Sequence, residues 1–248
     1  MFSRVRLAGL LAGLIVFGAT AASAGETLVA VAANFTEPAR QIAQAFKAAT
    51  GHTATLTFGA SGQFYAQIAA GAPFEVLLSA DAERPAQAEQ AGLAVQGTRF
   101  TYAVGRLALY SRTAGADPAT ALRRGAFQKL AIADPASAPY GRAAVETLQA
   151  LGLYEALKPR IVFGSSVTQA YQFVDTGAAE LGFVAQSQVV EAPAGARWIV
   201  PARYHRSIDQ QAILLRTGAA NPAARAFLAF LKSPKAQAII RRYGYELP

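Results

Sequence analysis

No cysteine occurs in the 248 residues. That excludes disulfides and thiolate metal sites, and it excludes a bacterial lipoprotein, whose mature N-terminus is a cysteine. Histidine is almost as scarce, with only His52 and His205. Two isolated histidines outside any ligand motif do not make a zinc centre, and they leave little for a catalytic triad. Phosphate-binding loops and dinucleotide fingerprints are missing as well. Charge is thin, 15% of residues against 53% hydrophobic, so there is ample material for a core and no disordered or low-complexity tract.

There is one long hydrophobic run, Leu7 to Phe17. Arg4 and Arg6 precede it, and Ala22-Ser23-Ala24 follows. The run is short of the roughly 20 residues that span a bilayer. The pattern is that of a secretory signal peptide over residues 1–24, with cleavage before Gly25. A soluble protein exported to the periplasm is expected. The formal charge is +8; removing Arg4 and Arg6 from 23 basic residues leaves 21 against 15 acidic, or +6. Export and the dispersal of these charges argue against a nucleic-acid partner. A general attraction for small anions is the more modest inference.

The remainder alternates strand and helix. "TLVAVAAN" reads as a buried strand, followed by a helix with Ile42, Phe46 and Ala49 on one face and Gly51 as its stop. "TATLTF" is a strand, "GQFYAQIAAG" a helix, "FEVLLSAD" a strand and "AERPAQAEQAG" a short helix. Such βαβαβ order implies an α/β fold with a mostly parallel sheet between helices. A second alternating block follows "RFTYAVGRLALYSR": "KLAIAD", "YGRAAVETLQALG", "RIVFG", "VTQAYQFVDTGA" and "AELGFVAQ". The end, from "NPAARAF" onward, reads as two helical turns and a tail. Two α/β lobes are expected, residues 25–105 plus 204–248 and residues 106–203, joined by β-rich hinge segments near 100–110 and 198–216.

Four strand-to-helix junctions carry small or polar residues and no obvious charge. Asn34, Ser61, Tyr140 and Val167 stand at or just before helix starts, where N–H donors lack partners and the helix dipole is positive. An anion supplies the acceptors. Asn34 and Ser61 add side-chain donors, and Gly62 allows a close backbone approach to a ligand. Taken singly, Asn34, Thr36 and Ser61 read better as ordinary N-caps, which are common; four such junctions in one two-lobed, exported chain shift the balance toward a site. Neutral donors suit an oxyanion with no proton of its own, whereas phosphate also needs an acceptor such as Asp81 or Asp134. Arg142 either steers an anion or is solvated. "FGASGQ" falls short of a nucleophile elbow because Gln63 replaces the required glycine. A secreted serine hydrolase using Ser61 is therefore the weaker alternative, and His52 reads as an exposed turn residue.

"VAVAANFTEPARQIAQAFKAATG", "FGASGQFYAQIAAGAPFEVLLSAD", "ADPASAPYGRAAVETLQALGLYEALKPRIV", "VTQAYQFVDTGAAELGFV" and "FLKSPKAQAIIRRYGY" resemble the periplasmic molybdate-binding proteins of ABC importers. The resemblance runs in order through nearly all of the mature chain. It implies a type II, two-lobed periplasmic binding protein with two crossovers, whose lobes close on molybdate or tungstate. It further implies a non-enzymatic monomer without a cofactor that delivers its ligand to a membrane permease. Carried over by position, the ligand residues are Asn34, Ser61, Tyr140 and Val167, which hold the oxyanion without a direct metal–protein bond. Sulfate or another oxyanion is the alternative ligand. Many members have serine at the position of Asn34, a small residue at Tyr140 and a ligand-binding tyrosine at Ala185. The Tyr140 phenol is expected to donate the hydrogen bond that Ala185 lacks.

Overall fold

A computed structural model describes residues 24–115, 117–190 and 195–248. The leader lies outside the described residues. The first lobe holds β1 (Glu26–Ala32), α1 (Thr36–Thr50), β2 (Thr53–Gly59), α2 (Ser61–Ala69), β3 (Val76–Ser79), α3 (Glu83–Gln90) and β4 (Phe100–Gly105). The second holds β5 (Leu107–Ala114), α4 (Pro118–Arg124), β6 (Leu130–Ala133), α5 (Pro139–Ala150), α6 (Tyr154–Leu157) and β7 (Ile161–Gly164). It continues through α7 (Val167–Asp175), β8 (Leu181–Ala185), α8 (Gln186–Val189) and β9 (Gly195–Ile199). The chain then returns to the first lobe with β10 (Ile208–Leu214), α9 (Pro222–Leu231) and α10 (Pro234–Arg242).

Each lobe is built on a five-stranded sheet, ordered β2-β1-β3-β10-β4 in the first and β7-β6-β8-β5-β9 in the second. In both, three parallel strands from βαβ units occupy one side. A reversed strand, β10 or β5, then pairs antiparallel with both of its neighbours. The parallel strands β1, β3 and β6 are short runs of buried Val, Leu, Ile and Ala, as strands covered on both faces must be. The only residue between β4 of one sheet and β5 of the other is Arg106.

Helix α1 buries Pro38, Ala39, Ile42 and Phe46. Phe46 meets Phe227 and Phe230 with ring centroids 5.3 and 5.7 Å apart. Ala49, expected on this face, is exposed because the last turn runs past that contact. The C-terminal segment forms two complete helices rather than two turns, each started by a proline and capped by Asn221 or Ser233. The short helix α4 was not apparent in the alternation. Asp117 caps it through the N–H groups of Ala119 and Thr120, and Gly125 ends it at φ 63°.

Candidate functional site

The four junctions converge between the lobes. Asn34 lies in a 3-10 turn (Ala33–Phe35) that links β1 to α1. Ser61 is the first residue of α2, Tyr140 the second of α5 and Val167 the first of α7. All four line one cavity of about 10 Å³, near the room a single water needs. No charged side chain lines it. One apolar cluster runs through its walls, with Ala32, Ala33, Ala60 and Ala80 from the first lobe packed against residues such as Tyr140 and Val167 from the second.

The helix starts facing this cavity are mostly uncapped. Neither the 3-10 turn, α2 nor α5 receives a side-chain cap. At α7 the Ser166 hydroxyl accepts only from Gln169 N. The first N–H groups of a helix have no partners within it, and these helix starts border one uncharged cavity. Ser61 is not an N-cap. Its Oγ accepts from Ala80 N at 2.9 Å, which leaves the hydroxyl proton available. Thr36 does not cap either, since its Oγ1 donates to Ala33 O at 2.8 Å.

Several side-chain expectations need correction. The Asn34 amide has two protons to give; one goes to Gln210 Oε1 and the other to Tyr245 OH, both at 2.9 Å. Both Asn34 amide protons are therefore committed within the protein, and the residue still lines the cavity. The Tyr140 hydroxyl accepts from Gln210 Nε2 at 3.2 Å and hydrogen-bonds to Tyr245. It does not stand free to replace the hydroxyl missing at Ala185, which is itself buried in the same apolar cluster. Burial pushes the Tyr102 and Tyr140 phenols well above their ordinary range and Tyr245 up to about 12. Gly62 does make a close backbone approach, but to the opposite lobe: its N–H donates to Ser137 O at 2.9 Å.

Larger hollows of about 230 and 180 Å³ flank the small cavity. The first contains Asp81, Glu83 and Glu146 alongside Arg142 and Arg206, and its carboxylates disfavour an anion. Arg142, partly exposed, is engaged in ion pairs between the lobes. From α5 it crosses to Asp81 at 2.7 Å and Glu83 at 2.6 Å, while Arg84 joins both carboxylates at 3.3 and 2.6 Å. The hydrogen bond from Arg142 is the main cause that holds the Glu83 carboxyl below its usual range. Asp134 Oδ1 accepts from Ala136 N, and neither Asp81 nor Asp134 lines the small cavity. His52 is half-buried rather than exposed: it accepts from Gly25 N at 2.9 Å and stacks on Phe46. His205 Nδ1 lies 2.7 Å from Arg206 O on the second crossover. Neither histidine is bonded to Ser61.

A family model for bacterial extracellular solute-binding proteins matches residues 27–246. The chain belongs to that family. This solute-binding protein is 54% identical to the molybdate-binding protein ModA of Rhodobacter capsulatus over 98% of each chain. It is 50% identical to the protein of that name from Azotobacter vinelandii, over 95% of this chain and 94% of the relative. The structure of the Azotobacter vinelandii periplasmic molybdate-binding protein superposes with a TM-score of 0.86 at 41% identity, covering 90% of this chain and 99% of that one. The two sheets, the two crossovers and these relatives make the fold a type II periplasmic binding protein.

Gln210, Tyr245, Tyr102 and Ser187, which buttress the cavity, escaped the sequence reading. A signal existed for two of them. Gln210 shares the alternate face of its strand with the apolar Ile208, Ala212 and Leu214, and "RRYGY" places Gly244, at φ 78°, directly before Tyr245.

Proposed function

We propose that this protein captures molybdate, and tungstate with it, between its lobes and delivers it to the membrane permease of an ABC importer. The observation that carries this reading is the convergence of four uncharged segments on one cavity, from both lobes. The anion is held by N–H groups at Asn34, Ser61, Tyr140 and Val167, with the Ser61 hydroxyl as a side-chain donor. Helix dipoles supply the positive potential without a countercharge. The absence of a carboxylate in the lining disfavours phosphate, whose remaining proton needs an acceptor. Sulfate has no such proton, so size and closure must separate it from molybdate. The relatives named for molybdate binding support the ligand.

In the same reading the protein is exported through the leader of residues 1–24 and works in the periplasm as a monomer. It binds without turnover, without a cofactor and without nucleic acid. A thermal-shift panel on the mature protein tests the ligand, because a molecule that binds only the folded state raises the melting temperature. Molybdate and tungstate should raise it, and sulfate and phosphate at equal concentration should do little. An equal response to sulfate would overturn the specificity.

A further inference from the structure

Behind the cavity lies a buried polar network that no anion-binding role accounts for. Its centre is Gln210, fully buried in β10, the strand that carries the chain back from the second crossover. Gln210 Oε1 accepts from Asn34 Nδ2 at 2.9 Å and from Tyr102 OH at 3.1 Å. Its Nε2 donates across the lobes to Tyr140 OH at 3.2 Å. One side chain thus touches two of the four cavity segments, one from each lobe.

The backbone is shaped for this contact. The pairing of β10 with β4 shifts register between Gln210 and Gln211, an irregularity that re-aims a side chain. The last residue of β4 is Gly105, beside the first crossover. A Cβ there would lie 2.3 Å from Tyr140 OH and 2.7 Å from Gln210 Nε2. The missing methyl is the space in which the two groups meet. Tyr245 OH and Ser187 Oγ complete the arrangement by each donating to Asn34 O at 2.8 Å, Tyr245 from the first lobe and Ser187 from the second.

We propose that Gln210 is a positioning residue for the anion site, which senses cleft closure through the Tyr140 hydroxyl and holds the Asn34 turn with its N–H groups facing the ligand. The Gln210–Tyr140 bond forms only when the lobes meet. It therefore slows ligand release and contributes little to the encounter, which takes place with the lobes apart. A buried glutamine that merely completes the core of its own lobe would stabilise the protein equally with and without ligand.

The inference rests on the anion-site reading, and the experiment separates the two. Molybdate association and dissociation rates are measured by stopped flow for wild type, Gln210→Met, Tyr140→Phe and the double variant. Gln210→Met, of similar length but without hydrogen bonds, should raise the dissociation rate about tenfold, with the association rate within about twofold. Tyr140→Phe should raise it too, and the double variant should be no worse than the more severe single one, because the Gln210–Tyr140 bond that both break can be lost only once. Gly105→Ala forces the same pair apart with both residues kept, and it carries the test if Gln210→Met does not fold. An unchanged dissociation rate, or effects that multiply in the double variant, would overturn the role of Gln210. Wild-type protein that binds no molybdate would instead remove the anion-site reading, and the positioning role with it.

Discussion

Gly62 of α2 and Ser137 of the opposite lobe are joined backbone to backbone across the cleft, and a Cβ on Gly62 would sit 2.9 Å from the same Ser137 oxygen that accepts its N–H. The glycine is required by closure rather than by its own conformation, since its φ is not positive.

Gly62→Ala should therefore separate folding from binding. Alanine suits a helix and limits the unfolded chain, so the ligand-free protein should gain about 0.4–1 kcal/mol. Molybdate affinity should fall because the added methyl holds the lobes apart. Calorimetry of binding, paired with chemical denaturation of the free protein, checks both signs. Affinity equal to wild type would mean that the lobes close with room to spare.

Ser61→Ala removes a hydroxyl that already accepts from Ala80 N. Its proton is the one side-chain donor remaining to the cavity. Binding should weaken by about 1.5–3 kcal/mol, the range for a hydrogen bond to a charged group. Leaving Ala80 N unpaired should also lower the stability of the free protein, which a melting curve reads. A loss of stability with unchanged affinity would make Ser61 a tie to β3 and nothing more.

Much of this was legible in the sequence, for a physical reason. Buried strands and one-sided helices are local patterns, and uncapped helix starts follow from where those patterns meet. The partners of Asn34 are not local: Gln210 and Tyr245 lie 176 and 211 residues away. No window along the chain shows that the amide is already committed. Gly62 illustrates the same limit, since the need for a glycine was visible but the neighbour it makes room for was not. The helix α4 did have a signal, Asp-Pro at its start and Gly at its end.

Arg142 closes the cleft with ions, so its contribution should respond to salt. Partly exposed pairs are worth about 0.2–1 kcal/mol. Arg142→Gln should raise the molybdate Kd about two- to fivefold at low ionic strength, and the gap from wild type should shrink near 1 M salt. The Glu83 carboxyl is held below its ordinary value by Arg142. Its part of the clasp is therefore present at neutral pH and is lost as acid carries it through that lowered value. A gap between wild type and variant that is the same at all salt concentrations would show that Arg142 acts through packing.

Three of the nine tyrosines, Tyr102, Tyr140 and Tyr245, are buried with raised pKa values, Tyr245 at about 12. Their neutral forms are favoured by the fold. Stability from them is complete below the unfolded value near 10 and is lost as pH rises above it, for Tyr245 through about 12. An ultraviolet titration should find these phenols silent until the circular dichroism is lost, then ionising together. Gradual ionisation near pH 10 with the fold intact would mean that water reaches the network.

The single residue between β4 and β5 sets the mechanics of the whole molecule. Arg106 offers two soft torsions, its carbonyl is held by Gln186 N at 2.9 Å, and its side chain is paired with Glu246. A joint this short gives no slack, so opening of the cleft is expected to be a swing about it, like covers on a spine, and not a drift apart. The second crossover, with its 3-10 turn at Ala202–Tyr204, is the longer and more compliant strap. Capture and release are then governed by one angle. An importer that prises the covers open by a modest rotation breaks the Gly62, Arg142 and Gln210 contacts in a single stroke.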